Sequence, residues 1–191
     1  MNHISIEGMD GVGKSTICKL LAEKLGYIFV EKPLHYLLDD RDDEVKQYQK
    51  VAKRVNANPN RNFTAWYYGL NNIYLYEKFK DQNIVTDRHI VSNYCWSGTT
   101  YNKDIYSLIL KKIGKPKLTV ILYATQEAIL ARLKKRNNND SDIAKVEKSE
   151  KAYERMIYFC KTKKFEYIVI DTTHKDVETV VDEILKRIEV L

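Results

Sequence analysis

Gly8-Met9-Asp10-Gly11-Val12-Gly13-Lys14-Ser15, preceded by Ile4-Ser5-Ile6-Glu7 and followed by the helical pattern Lys14–Leu25, decides how this chain is read. The stretch is G-x-x-x-x-G-K-S in full. Glycines let a backbone turn tightly and aim successive N–H groups at phosphate oxygens. The helix opening at Lys14 adds the positive end of its dipole. Lys14 can then place a point charge on the β and γ phosphates, and Ser15 can offer its hydroxyl to Mg²⁺. Gly8, Asp10, Gly11, Val12, Gly13 and Thr16 complete the expected nucleotide-phosphate cradle. The chain has 7 glycines in 191 residues, about half the usual frequency, and three of them fall inside this loop. The flanks agree: residues 4–7 read as a strand. Ile17, Leu20, Leu21 and Leu25 mark one face of a helix that stops at Gly26.

Outward from the loop, short apolar runs alternate with helical patterns. Strands are predicted at residues 4–7, 27–31, 84–87, 118–124 and 167–171. Helices are predicted at 14–25, 63–80, 126–136, near 144–161 and at 176–188. The strand runs are too continuous for half-exposed strands and predict burial on both faces, as in parallel sheets. The expectation is an α/β fold with a central parallel sheet, built as one domain over residues 1–191. Asn137-Asn138-Asn139-Asp140-Ser141-Asp142 reads as a surface loop inside that domain.

Composition narrows the function. The 32 basic and 26 acidic residues give +6, which suits an anionic ligand and equally a solvated lysine-rich surface. The charge is dispersed along the chain, so a nucleic-acid partner is not expected. No apolar run approaches the roughly 18 residues of a membrane span, and the first residues show neither a basic start nor a long apolar stretch, so neither a membrane nor a secretory signal is expected. Cys18, Cys95 and Cys160 form no CxxC pair, and four scattered histidines offer no zinc spacing. The expected compartment is the cytoplasm.

A phosphate loop of this kind needs a second acid for its metal ion. Asn83-Ile84-Val85-Thr86-Asp87 is an apolar strand ending in one, and Arg88 follows at once. Asp87 is therefore the metal-side candidate beside Ser15, and Arg88 can point toward a phosphate in transfer. Ile6-Glu7-Gly8-Met9-Asp10-Gly11-Val12-Gly13-Lys14-Ser15-Thr16 and the segment Asp87-Arg88-His89 with Ser92 together resemble the thymidylate kinase family. Gln126–Arg136 is similar to that family's helix into the lid, and Tyr167–Asp171 with Thr172-Thr173 to its last strand and adenine-side loop. The resemblance implies a three-layer P-loop NTPase fold with a five-stranded parallel sheet and helices on both faces. It implies ATP and Mg²⁺ as cofactors, dTMP as phosphoryl acceptor and a homodimer. It places Asp10 beside the acceptor sugar and Asp87 and Arg88 between donor and acceptor. Arg132 and Arg136 match its lid side, with a lid segment near residues 134–145 and Arg132 a contact for ATP. Because position 11 is glycine, Arg136 is the arginine expected to cover the transferring phosphate.

The departures from the family fall on the acceptor side. The second strand ends Glu31-Lys32-Pro33-Leu34-His35, without the family's Arg-Glu-Pro-Gly-Gly. The long helix, through Ala65-Trp66-Tyr67-Tyr68-Gly69-Leu70-Asn71-Asn72, lacks its arginine, and Ser97 stands where the family has Gln. Glu31, Lys32, Trp66 and Tyr67 are substrate-side candidates: the first two at a strand end where such sheets bind ligands, the aromatic pair, with Tyr68 and Tyr74 on the same helix, as rings that could stack a base or equally serve core or dimer contacts. Strand alternation predicts that only one of Glu31 and Lys32 faces the site. A deoxynucleoside kinase, acting on a 5′-hydroxyl, is the alternative, and an ATP-hydrolysing switch with no small acceptor is the competing class.

Overall fold

A computed structural model of the chain describes residues 1–37 and 44–191. Five strands, β1 (His3–Gly8), β2 (Ile28–Glu31), β3 (Ile84–Asp87), β4 (Leu118–Tyr123) and β5 (Tyr167–Asp171), form one sheet in the order β2-β3-β1-β4-β5. Every pairing is parallel. All six residues of the central strand β1 are buried, which requires cover on both sheet faces. Helix α1 (Lys14–Leu25) packs on β1, β2 and β3. Helices α4 (Ile90–Ser97) and α7 (Ser149–Thr162) pack on each other and reach β1 and β4. The expected three-layer α/β architecture is present. The edge strands depart from the prediction of burial on both faces: Ile28 on β2 and Val169 on β5 are exposed, because an edge has neighbours on one side only.

The remaining helices are α2 (Glu44–Asn56), α3 (Arg61–Lys78), α5 (Lys103–Ile113), α6 (Gln126–Arg136) and α8 (Val177–Glu189). Local chemistry fixes their ends. Asn60 caps α3, Thr125 caps α6 and Asp176 caps α8, each accepting backbone N–H bonds through its side chain. Gly26, at φ 65°, ends α1 by turning its N–H back to Ala22 and Glu23. The region expected as one helix near 144–161 is a 3₁₀ turn (Ile143–Lys148) running into α7. Among the described residues no helix is long and apolar enough to cross a membrane.

This topology sets the loop of residues 8–13 at the carboxyl edge of the central strand, between β3 and β4. In open parallel sheets ligands bind at such an edge, where the connections turn to opposite sides.

Candidate active site

Backbone geometry builds the loop first. Gly8, Gly11 and Gly13 all have positive φ, at 141°, 88° and 95°. At Gly8 a Cβ would stand 2.5 Å from the carbonyl oxygen of Leu122, and at Gly11 it would press on Leu133 and Ile129 of α6 at 3.1–3.2 Å. A larger residue at Gly8 would collide with backbone, and one at Gly11 would be strained by its φ and crowd α6. The Gly11 contact seats the loop on the helix that carries Arg132 and Arg136. Those arginines follow Ile129 at the three- and seven-residue spacing of one helix face.

Lys14 opens α1 and is buried. Its Nζ donates to the Met9 carbonyl at 2.7 Å and lies 3.7 Å from the Asp10 carboxylate. Burial, with Arg88 nearby, lowers its pKa from the ordinary lysine range. Ser15 Oγ donates to Asp87 Oδ2 at 2.5 Å, so the hydroxyl and carboxylate singled out for the metal meet on the floor of the loop. Arg88, at φ 74°, turns back over that floor. One guanidinium nitrogen donates to Gly8 O at 3.0 Å and to Ser92 Oγ at 3.2 Å, and the other donates to Asp10 Oδ1 at 2.6 Å. Burial alone would raise the Asp10 pKa. Arg88, then Lys14 and Lys145, overcome it and hold that carboxyl well below its usual range.

Two cavities share this floor. One, of about 480 Å³, is lined by Asp10, Gly11 and the run Gly13–Thr16 with Glu31, Arg132, Leu133 and Arg136, while Val12 turns into the hydrophobic core. The other, of about 520 Å³, is lined by Tyr48, Asn56, Arg61, Tyr68, Asn71, Asn72, His89, Ser92, Asn93, Trp96, Lys145 and Lys148. Asp10, Lys32, Asp87 and Arg88 line both. A group bound in the first cavity and a group bound in the second would meet at these four side chains, which is the geometry a transfer between two ligands needs.

Other predicted residues fall less simply. Glu31 and Lys32 do not alternate. The strand ends at Glu31, and Lys32 takes a left-handed φ of 46°, so both side chains enter the first cavity and Lys32 Nζ donates to Glu31 Oε2 at 2.7 Å. Only Lys32 reaches the second cavity. Arg136 faces the first cavity but is held by Asp140 and Asp142, at 2.7 and 3.0 Å, within its own loop. Arg132 donates to the Thr172 and Thr173 carbonyls and to Thr172 Oγ1, fixing the turn after β5. Trp66 is exposed, and neither it nor Tyr67 lines either of these two cavities. Tyr68, one residue on, does. The sequence reading missed Tyr48, Arg61, Trp96, Lys145 and Lys148. They come from α2, α3, α4 and the 3₁₀ turn, and no local pattern marks them, since only the tertiary fold gathers them.

The thymidylate kinase family profile matches residues 6–184 of this chain. The chain belongs to the thymidylate kinase family. It is accordingly a nucleotide kinase, with ATP as the donor the family uses. Among its relatives, a probable thymidylate kinase of Methanococcus maripaludis (strain C7 / ATCC BAA-1331) is 28% identical over 97% of this chain and 94% of the relative. A putative adenylate kinase of Thermococcus kodakarensis (strain ATCC BAA-918 / JCM 12380 / KOD1) is 29% identical over 97% of this chain and 84% of the relative. Among solved structures, deoxyadenosine kinase from M. mycoides with bound dCTP superposes with a TM-score of 0.64 at 22% identity, covering 99% of this chain and 100% of that one, a likeness of fold. The two sequence relatives are named for different acceptors. Membership in the thymidylate kinase family therefore carries the phosphoryl-transfer chemistry, while the acceptor has to be argued from the second cavity.

Proposed function

We propose that this kinase transfers the γ-phosphoryl group of ATP to a nucleoside 5′-monophosphate, with dTMP the favoured acceptor. The observation that carries the reading is the charge around the second cavity. Lys32, Arg61, Arg88, Lys145 and Lys148 line it against two carboxylates, Asp10 and Asp87. A phosphate monoester is an anion that needs such cations, whereas a neutral hydroxyl does not. The amides of Asn71, Asn72 and Asn93 with the rings of Tyr68 and Trp96 offer the hydrogen bonds and stacking faces a nucleobase uses. The family match favours dTMP among monophosphates.

In this reading Lys14 neutralises donor phosphate charge, Arg88 reaches the group in transfer, and Asp10 lies beside the acceptor sugar. The Ser15 hydroxyl and Asp87 carboxylate are two hard oxygen donors side by side, and they fit Mg²⁺, which takes most of its remaining ligands from phosphates and water. The ion, when bound, neutralises charge on the donor phosphates. Residues 134–145 form the lid, Arg136 covers the phosphate site, and Arg132 holds the adenine-side turn. The three cysteines are free and buried, which suits a reducing cytoplasm.

A coupled ADP-release assay against nucleosides and their monophosphates tests the acceptor. Turnover with dTMP and none with thymidine is expected, and Lys32→Ala should raise the acceptor KM by about 10–100-fold, the worth of one charged hydrogen bond. One observation favours the alternative of a nucleoside kinase: Glu31 ends β2 beside Asp87 in the sheet register, where a carboxylate could take a hydroxyl proton. A dead Glu31→Gln beside an unaffected Lys32→Ala, with thymidine the better acceptor, would replace the monophosphate reading with that one.

The outer face of α3 supports the homodimer. Phe63, Trp66, Leu70 and Ile73 are all exposed, spaced three, four and three residues apart along one seam of the helix. A second copy of the chain would bury that seam. Leu70→Glu should then convert the dimer to a monomer in sedimentation, and an unchanged mass would remove α3 from the interface.

A further inference from the structure

Glu7 is wholly buried beneath the phosphate loop, and nothing in the chemistry above uses it. It sits at the end of β1, yet its bonds run to another element. Its carboxylate accepts from the backbone N–H of His89 at 3.0 Å and of Ser92 at 3.1 Å, and from Ser92 Oγ at 2.5 Å. These amides open α4, whose preceding residue His89 supplies no side-chain cap. A carboxylate from the central strand thus caps the helix, at the end where its dipole favours an anion. The chain of bonds continues. Ser92 Oγ accepts from Arg88, and Arg88 donates in turn to Gly8 O and Asp10. Arg88 is held in a left-handed backbone conformation, which a non-glycine residue keeps only when its surroundings fix it.

We infer that Glu7 is a positioning residue for phosphoryl transfer: it clamps the start of α4 and, through Ser92, holds Arg88 on Asp10 where the two cavities meet. The inference rests on the kinase chemistry and on the proposed role of Arg88, and it is independent of which acceptor is used. The groups facing Glu7 leave it no partner that could replace this clamp. Arg88 is the one charged group interacting with it, from the turn before α4. From α1, α4 and α7 it meets the thiols of Cys18, Cys95 and Cys160, whose pKa values burial raises, so they stay neutral. Burial also pushes the Glu7 carboxyl up to about 7, against the Ser92, Arg88 and His89 interactions that favour its charged form. A buried carboxylate at this cost is understandable where three donors and an arginine require it.

The test is a double-mutant cycle on steady-state kinetics. Glu7→Gln keeps the shape but turns one acceptor oxygen into a donor. It should lower kcat by about tenfold with ATP KM nearly unchanged, since a misplaced arginine loses transition-state contact first. In an Arg88→Ala background the same change should cost nothing further, because the group it positions is gone. Ser92→Ala breaks the link from its other end, so it should lower kcat by about tenfold on its own and cost nothing further in the Arg88→Ala background, which keeps the inference testable should Glu7→Gln fold poorly. A pH arm reads the same carboxyl. The native state holds its proton more tightly than the unfolded chain, so between roughly pH 4 and about 7 wild-type stability falls as pH rises. Glu7→Gln should lack that part of the decline in melting temperature. A Glu7→Gln loss that adds in full to Arg88→Ala overturns the clamp and leaves Arg88 its own role. An Arg88→Ala variant with wild-type kcat overturns both.

Discussion

Lys14→Ala should lower kcat by about 10²–10³ while the protein remains folded, as expected when one preorganised charge is taken from a developing phosphoryl transition state. The position makes the effect specific. Lys14 is held at the helix start by the Met9 carbonyl and the Asp10 carboxylate, so its ammonium already points into the loop. Burial and Arg88 depress its pKa, so the native state bears a cost for keeping the charge there, and a neutral alanine removes that cost together with the function. Melting curves should therefore show Lys14→Ala still cooperatively folded at neutral pH, while the coupled ADP assay shows turnover nearly lost. Near-normal turnover would end the phosphate-loop reading of Gly8–Ser15.

The first cavity was legible in the sequence because most of it is contiguous. One loop and one helix start supply Gly8 through Thr16, and the strand ending in Asp87 announces itself by composition. The second cavity was not, because α2, α3, α4 and the 3₁₀ turn at Ile143–Lys148 supply it from far apart. Helix α4 could not be read from periodicity: seven of its eight residues are buried, so it has no polar face to set the period. In α2 the opposite holds, as Tyr48 and Val55 are its only strongly buried apolar residues among those described. Helix α5 carried a usable signal in Ile105, Tyr106 and Ile109 with Gly114 beyond its end, and that signal went unread. Alternation failed at Glu31 and Lys32 for a local reason. The strand stops at Glu31, and the left-handed turn at Lys32 brings both side chains to one cleft.

Arg88→Ala should match the lysine variant in kcat, with a loss of about 10²–10³, and should exceed it in damage to the protein. The guanidinium joins three elements at once, bonding the loop at Gly8, the Asp10 carboxylate and Ser92 on α4. Lysine has one compact ammonium and cannot reproduce that planar fork, so Arg88→Lys should recover little activity. Removing the arginine leaves the partly buried Asp10, among the described residues, with Lys14 at 3.7 Å and Lys145 at 3.9 Å to oppose its burial. A lost charge-assisted bond of this kind costs about 2 kcal/mol. The pH dependence follows in sign. In the wild type the Asp10 pKa is depressed, so its stabilisation is complete above the unfolded value near ~4 and is lost as pH falls through the lower folded value. In Arg88→Ala the folded pKa moves back up and that stabilisation disappears. The variant should melt below wild type at pH 7, and the gap should close as pH falls below about 4. A gap that stays constant across that range would mean that Arg88 stabilises the fold through Gly8 and Ser92 and that its pairing with Asp10 contributes little.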